Sequence, residues 1–250
     1  METVRKPFQG VRNIIRFNWH FYVGALAAVL FFLLFVFIFF KAYLLYTYLF
    51  ISLTLLSVLI TLLVSWYVYD FSGLYRLQWL QENNFNTNKT IVNINAGFDE
   101  TSELFKEKLA PYKMYIFDFY NAEKHTEVSI KRARKAYPPY PNTKSVETQH
   151  LPLPNTSVDY IFNILSAHEI RDTEERIAFF KELARILAPQ GKIVVVEHLR
   201  DTANFLAYNI GFFHFHAKST WLHTFLSANL SLEKEIKNTP FIHTFILTKK

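Results

Sequence analysis

His168 and Glu169 follow directly on the largely apolar run 159–165, and Glu197 and His198 follow the run 192–196. An imidazole titrates near neutral pH, so a histidine in a pocket can take a proton from a hydroxyl or an acidic carbon. His214, His216 and His223 lie among aromatic residues in the stretches FFHFH and WLH. The candidates for a general base are therefore His168 first, then His198 and His214. Glu169 and Arg171 suit the orienting of neighbours or the holding of an acidic headgroup. No metal site is expected. His214 and His216 are two apart, a spacing that suits a strand, with no carboxylate adjacent, and residues 168–172 read HEIRD where HExxH would be needed. The chain has no cysteine, which excludes a thiol nucleophile, a disulfide framework and thiolate metal ligands.

These residues need elements that bring them together. Strand-like runs at 91–95, 114–117, 159–165 and 192–196 alternate with helical patterns at 101–109 and 174–187, the second stopped by Pro189-Gln190-Gly191. A further helix is expected at 219–228. Runs 230–236 and 241–247 read as a closing hairpin across the turn 237–240. Such alternation predicts an α/β domain with a mostly parallel sheet and an antiparallel edge. Ligands of open α/β sheets bind at the carboxyl ends of the strands. Asn93 to Asp99, Asp118, Ser166, His168, Glu169, Glu197 and His198 all fall at that edge. The basic run Lys131-Arg132-Ala133-Arg134-Lys135 reads as a solvated helix face, a contact for anionic lipid headgroups, or a border of the pocket.

The first third of the chain has a different character. Residues 21–69 carry a single charge, Lys41. About 20 apolar residues as helix cross a hydrocarbon core of about 30 Å, so 21–40 and 42–69 read as two spans with Lys41 at the turn. Trp19, Tyr22, Trp66, Tyr67 and Tyr69 lie near the ends that face the rest of the chain, where aromatic belts form. A signal peptide has a shorter apolar core and a small-residue cleavage site, neither of which is present. Arg5, Lys6, Arg12 and Arg16 against Glu2 place the N-terminus in the cytoplasm by the positive-inside rule, and two spans return the chain there. The expected organisation is a basic segment 1–20, a two-helix transmembrane hairpin 21–69, an amphipathic helix (71–80) with a polar linker over 70–89, and a cytoplasmic domain 90–250. The net charge of +6 favours an anionic leaflet and does not demand nucleic acid.

The run Leu151-Pro152-Leu153-Pro154-Asn155-Thr156-Ser157-Val158-Asp159-Tyr160 and the run 176–198, RIAFFKELARILAPQGKIVVVEH, resemble two blocks of the class I S-adenosylmethionine-dependent methyltransferases of type 11. Those blocks read LPFPDNSFDVV and EIARVLKPGGRLVIVEH, and they match in order and spacing. The resemblance spans about 90–250. It implies a Rossmann-like seven-stranded sheet with S-adenosylmethionine as cofactor. It places Asn93, Asn95, Gly97 and Asp99 on the family's DxGxGxG loop, with only Gly97 kept as glycine. Asn and Asp tolerate left-handed backbone better than most residues, so the turn can survive the exchange. It places Asp118 at the acid that accepts hydrogen bonds from the ribose hydroxyls, Glu147 and Thr148 beside the adenine, and Ser166 where the methionine part and the substrate meet.

A membrane hairpin fused to such a domain predicts an anchored methyltransferase acting on a lipophilic small molecule or a lipid. The expected target is a hydroxyl, with His168, His198 or His214 as the base. Methyl transfer is an in-line displacement, for which proximity and orientation are the main contributions. The expected partners are membrane lipids and a substrate such as a quinone precursor, a phenol, a phospholipid amine or an unsaturated chain, with no nucleic acid. The oligomeric state is left open. The degraded glycine loop also fits a non-catalytic membrane scaffold built on the same fold.

Overall fold

A computed structural model describes residues 5–83, 85–125 and 127–250. The first four residues of the expected basic segment and Asn84 of the expected linker lie outside this description. Helices α1 (Gln9–Phe39) and α2 (Leu44–Trp66) come first, joined through the 3₁₀ turn Lys41–Tyr43. Phe8 stacks on Trp66 and Phe32 meets Phe50, so the two run antiparallel. Both are long and apolar enough to cross a membrane, and their apolar side chains are largely exposed. Non-helical backbone at Asn18 divides α1, and Gly10, Asn13 and Phe17 on its first part are buried. The Asp70 carboxylate accepts hydrogen bonds from the N–H groups of Gly10 and Val11 at 2.8 and 2.9 Å. It thereby satisfies two free donors at the positive end of α1.

The expected amphipathic helix over 71–80 does not form. A π turn at Tyr67–Phe71 and a 3₁₀ turn at Leu74–Arg76 are separated by Gly73 at φ +85°, and Leu77 at φ +53° breaks the chain again before α3 (Gln78–Glu82). These left-handed residues turn Leu74, Leu77, Trp79, Leu80 and Phe85 inward. The five pack with Phe105, Phe162, Val194, Val196 and Ile246 on one face of the sheet. Leu74, Leu77, Trp79, Leu80 and Phe85 therefore belong to the core of the domain, where a linker was expected.

The sheet strands are β1 (Thr90–Asn95), β2 (Lys113–Asp118), β3 (Lys144–Ser145), β4 (Val158–Ile164), β5 (Leu187–His198), β6 (Leu230–Thr239) and β7 (Ile242–Lys249), in the order β3-β2-β1-β4-β5-β7-β6. The first five run parallel, and β7 is antiparallel to both β5 and β6. The crossovers carry α4 (Ser102–Leu109), α5 (Val128–Ala136) and α6 (Thr173–Ile186), and β5 leads to α7 (Thr202–Tyr208) and α8 (Lys218–Ser227). Ile193 to Val196 are fully buried, as the apolar run predicts for a strand covered on both faces. Pro189-Gln190-Gly191 falls at a register shift where β5 leaves α6, between the pairs Val158–Leu187 and Tyr160–Lys192. On the second face Phe179, Phe180, Trp221, Phe225 and Phe245 form the main core.

Candidate active site

At the carboxyl edge, Asn95 of β1 lies in register with Asp118 of β2. The loop after β1 is tied by its own polar side chains. The Asn93 amide reaches Ser102 Oγ at 2.8 Å and Thr101 Oγ1 at 3.0 Å, and lies 3.2 Å from Asp99 Oδ1. Asp99 accepts from the N–H groups of Thr101 and Ser102, each at 2.9 Å. Asn95 Oδ1 accepts from the Gly97 N–H at 2.9 Å, and Gly97 takes φ +95°, which only glycine adopts freely. Asn95 Nδ2 and Asp99 Oδ2 are buried without a hydrogen-bond partner among the described residues.

Arg134 of α5 reaches into the same place. Its guanidinium is ion-paired with Asp118 and lies over the Tyr120 ring at 4.4 Å. A Cβ on Gly97 would come within 2.5 Å of Arg134. Beside Tyr120 a cleft of about 540 Å³ is bordered by Phe119, Glu147, Thr148 and Glu175. Thr148 donates its hydroxyl to Glu175 at 2.6 Å. The Gly97 turn, the two unpartnered polar atoms, the Asp118 acid and the cleft beside Glu147 and Thr148 together fit S-adenosylmethionine, with Arg134 as the side chain that must leave Asp118. Ser166 is buried, its hydroxyl 3.1 Å from Asn163 Oδ1 and 3.2 Å from the Ile94 carbonyl. It ties β4 to β1.

The histidines separate into two environments. His198 is buried with Nε2 2.8 Å from the Tyr69 hydroxyl and Nδ1 3.0 Å from Asn204 Oδ1, and its ring stacks on Phe215. Burial pushes it down to about 3. With both nitrogens engaged it holds α7 and the 67–71 turn to β5, which turns it away from the role of base. His216 is likewise pushed down to about 3 by burial and then by Arg176. His168 and His214 do come together, their ring centroids 4.9 Å apart. The fully buried Glu197 accepts from the His168 N–H at 3.2 Å and lies 2.7 Å from its Nδ1. His168 Nε2 lies 3.4 Å from Glu169 Oε1, and His214 Nε2 lies 3.5 Å from that same oxygen. Glu127 lies 3.2 Å from His214 Nδ1. Burial opposes charge on His168, but Glu197 and then Glu169 outweigh it and raise the ring to about 10. Burial likewise opposes charge on Glu169, yet its bonds to the two imidazoles hold it well below the usual carboxylate range. At neutral pH His168 is therefore an imidazolium rather than a free base.

Two residues of this region escaped the sequence. Glu127 has no motif around it, and Arg134 showed only as part of a basic run, while Glu197 was placed at the carboxyl edge without a role of its own. The grouping of His168, Glu169 and His214 within 4.8 Å also went unseen, because the 3₁₀ segment Asn209–His214 folds back over the β4 end. That grouping sits where no metal site was expected.

Residues 101–195 match the family model described as a methyltransferase domain. A search of the curated proteins finds no match. Among solved structures, a methyltransferase from Aquifex aeolicus titled as dependent on S-adenosylmethionine superposes with a TM-score of 0.51 at 15% identity, covering 72% of this chain and 94% of that one. The cyclase SpnF gives 0.51 at 12% identity over 72% and 80%. The geranyl diphosphate C-methyltransferase of Streptomyces coelicolor, solved with Mg²⁺, geranyl diphosphate and S-adenosyl-L-homocysteine, gives 0.51 at 11% identity over 70% and 78%. At these identities the likeness shows the shared fold. With the domain match it supports a class I methyltransferase that uses S-adenosylmethionine.

Proposed function

We propose that this methyltransferase domain is anchored in a membrane by α1 and α2 and methylates a hydroxyl of a lipophilic small molecule or lipid reached from the bilayer. One observation carries the reading. The segment Asn209–His214 ends at the histidine that faces His168, while Ile210 is 82% and Phe213 60% exposed. The start of that segment and the end of α7 lie along α2, where Asn209 donates to Ser57 Oγ at 2.8 Å and Thr61 donates to the Ala207 carbonyl at 2.7 Å. Ser57 stands nine residues before Trp66, about 14 Å of helix at about 1.5 Å per residue. The cover of the site thus shares the apolar level of α2, and Phe205 and Leu206 add to its exposed face. A substrate dissolved in the bilayer would be concentrated at that cover. The basic residues Arg5, Lys6, Arg12 and Arg16 support a cytoplasmic N-terminus, and the antiparallel pair would return the domain to that side.

Asp118, the Gly97 turn, Glu147 and Thr148 would hold the cofactor once Arg134 withdraws. When bound, S-adenosylmethionine supplies a methyl group on a sulfonium. The residues of the chain orient the hydroxyl and remove its proton. His168, braced by Glu197, is the acceptor, after giving up the proton it holds at neutral pH. The test is transfer of labelled methyl from S-adenosylmethionine to extracted lipids by the chain in liposomes. Label in a base-stable ether of an extractable lipid supports the reading, and no label in any lipid fraction overturns it. The pairing of Arg134 with Asp118 favours a second reading, a scaffold whose cofactor site is sealed. That reading requires no S-adenosylmethionine binding by the native chain, with Arg134 in place.

A further inference from the structure

We infer that His168, Glu169 and His214 form a binding site for a divalent transition-metal ion, zinc first among them. Two imidazoles and a carboxylate are a donor set that zinc takes with one position left open. Two of the three donor spacings suit it, and all three donor atoms lie within 4.8 Å of one another. Bonds of about 2.0–2.2 Å in a tetrahedron put neighbouring donors about 3.3–3.6 Å apart. Glu169 Oε1 lies 3.4 Å from His168 Nε2 and 3.5 Å from His214 Nε2.

The supporting shell is in place on both sides. A histidine that ligates a metal ordinarily hands its other ring nitrogen to a carboxylate or carbonyl, which fixes the tautomer and the ring plane. Here Glu197 takes His168 Nδ1 at 2.7 Å and Glu127 lies 3.2 Å from His214 Nδ1. Each imidazole is thus held behind and points its Nε2 at one oxygen. A buried structural ion pair has no need of two histidines arranged in this way.

The charge is also suitable. With both imidazoles neutral, as ligation requires, Glu127, Glu169 and Glu197 carry three negative charges and Arg171 one positive, so an arriving divalent ion releases the His168 proton and neutralises the two that remain. Arg171 is exposed and reaches His214 from the solvent side, where its guanidinium lies against both ring nitrogens, nearer to Nδ1 and 3.2 Å from Nε2, and donates to the His214 carbonyl. It is the side chain that an arriving cation would displace. An ion with an open position could hold and polarise a substrate oxygen. That use rests on the hydroxyl reading above, with the ion lowering the pKa of the substrate hydroxyl in place of His168 as base, because ligation occupies His168 Nε2; binding of the ion does not rest on it.

The experiment uses the full chain in detergent micelles, stripped with a chelator. Zn²⁺ is titrated against a chromophoric competitor, with metal content measured by mass spectrometry and Co²⁺ read by its visible spectrum. No cofactor or substrate is present, so a failure of methyl transfer cannot be mistaken for a failure of this site. We expect one Zn²⁺ per chain, a tetrahedral Co²⁺ spectrum and no comparable uptake of Mg²⁺. His214→Ala and Glu169→Gln should each weaken Zn²⁺ by about 100-fold, and Glu127→Gln by roughly 10-fold, as loss of an outer partner does elsewhere. Arg171→Met should tighten it, and His223→Ala should leave it unchanged. Thermal unfolding checks that each variant is folded, and Glu169→Gln stands in if His214→Ala is not. Absence of stoichiometric Zn²⁺, or affinity unmoved in a folded Glu169→Gln or His214→Ala chain, overturns the site.

Discussion

The Arg134 guanidinium is ion-paired with the Asp118 carboxylate, and the helix that carries it is held by α1. Arg132 donates to the Phe17 carbonyl at 2.5 Å and lies over the Trp19 ring, and the Tyr137 hydroxyl donates to Asn13 Oδ1 at 2.9 Å. The Phe17 ring packs edge to face with Phe98 and with Tyr137, which are tilted against each other, between α1 and the loop after β1. The Asp118 carboxylate is therefore linked through α5 to the first apolar helix.

A cation seated on Asp118 competes with any ligand that needs its oxygens. Arg134→Ala should therefore tighten S-adenosylmethionine and S-adenosylhomocysteine by several-fold. Asp118→Asn should weaken them by at least about 10-fold, the scale of about 1.4 kcal/mol for one charged hydrogen bond lost. Calorimetric titration of the detergent-solubilised chain reads both. Weaker binding in Arg134→Ala would mean that the guanidinium contacts the cofactor instead of blocking it.

The exposed cover makes a separate prediction. Ile210 and Phe213 touch solvent and lie away from the Asp118 side. Ile210→Glu with Phe213→Glu should cut methyl transfer to a lipid in liposomes by about 10-fold or more, since a charge at an apolar interface costs on the order of 2–3 kcal/mol. Cofactor affinity should not move. An unchanged rate on a liposome-borne lipid would show that the substrate does not arrive across this face.

Truncation tests where the domain begins. Leu74, Leu77, Trp79, Leu80 and Phe85 are buried on the sheet. At about 1.5–3 kcal/mol for each large apolar side chain, their loss approaches the whole stability of a typical domain. A chain of residues 90–250 should aggregate, whereas 72–250 should show a cooperative thermal transition by circular dichroism. Equal transitions for the two would place the core boundary at β1 after all.

The same boundary shows what could be read without coordinates. The runs at 159–165 and 192–196 become β4 and β5 because their side chains are apolar on both faces, a pattern that needs no tertiary context. The spacing at 71–80 suggested a helix because Leu74, Leu77 and Leu80 lie three apart. Positive φ at Gly73 and Leu77 overrides it, since burying those leucines against β4 and β5 requires two turns. The pairing of His168 with His214 spans 46 positions, and that of Arg134 with Asp118 spans 16. Neither is local, and both depend on where a loop folds back. Asn95 and Asp99 were read as replaced glycines and Asn93 as the replaced acid of the loop, whereas the structure uses their side chains to tie it.

Two buried histidines set opposite limbs of the stability profile. In the unfolded chain both titrate near 6.5. His168 is raised to about 10 when folded, so the stability it contributes is complete below about pH 6.5 and is lost as pH rises towards 10. His198 is lowered to about 3, so unfolding takes up a proton below about pH 6.5 and stability falls as pH falls towards 3. The Tm of the metal-free chain should therefore peak near neutral pH. His168→Gln should flatten the alkaline limb and His198→Gln part of the acid limb, each by at least about 3 °C, with His216 and the paired Glu169 supplying the rest of the acid limb. The same shift sets the sign for catalysis. If His168 accepts the hydroxyl proton, kcat/KM without metal should climb from pH 7 towards pH 10, and Glu197→Gln should move that rise to lower pH. A rate flat from pH 7 to 9 would remove His168 from the role of base, and an unmoved profile in Glu197→Gln would show that the carboxylate does not set its charge.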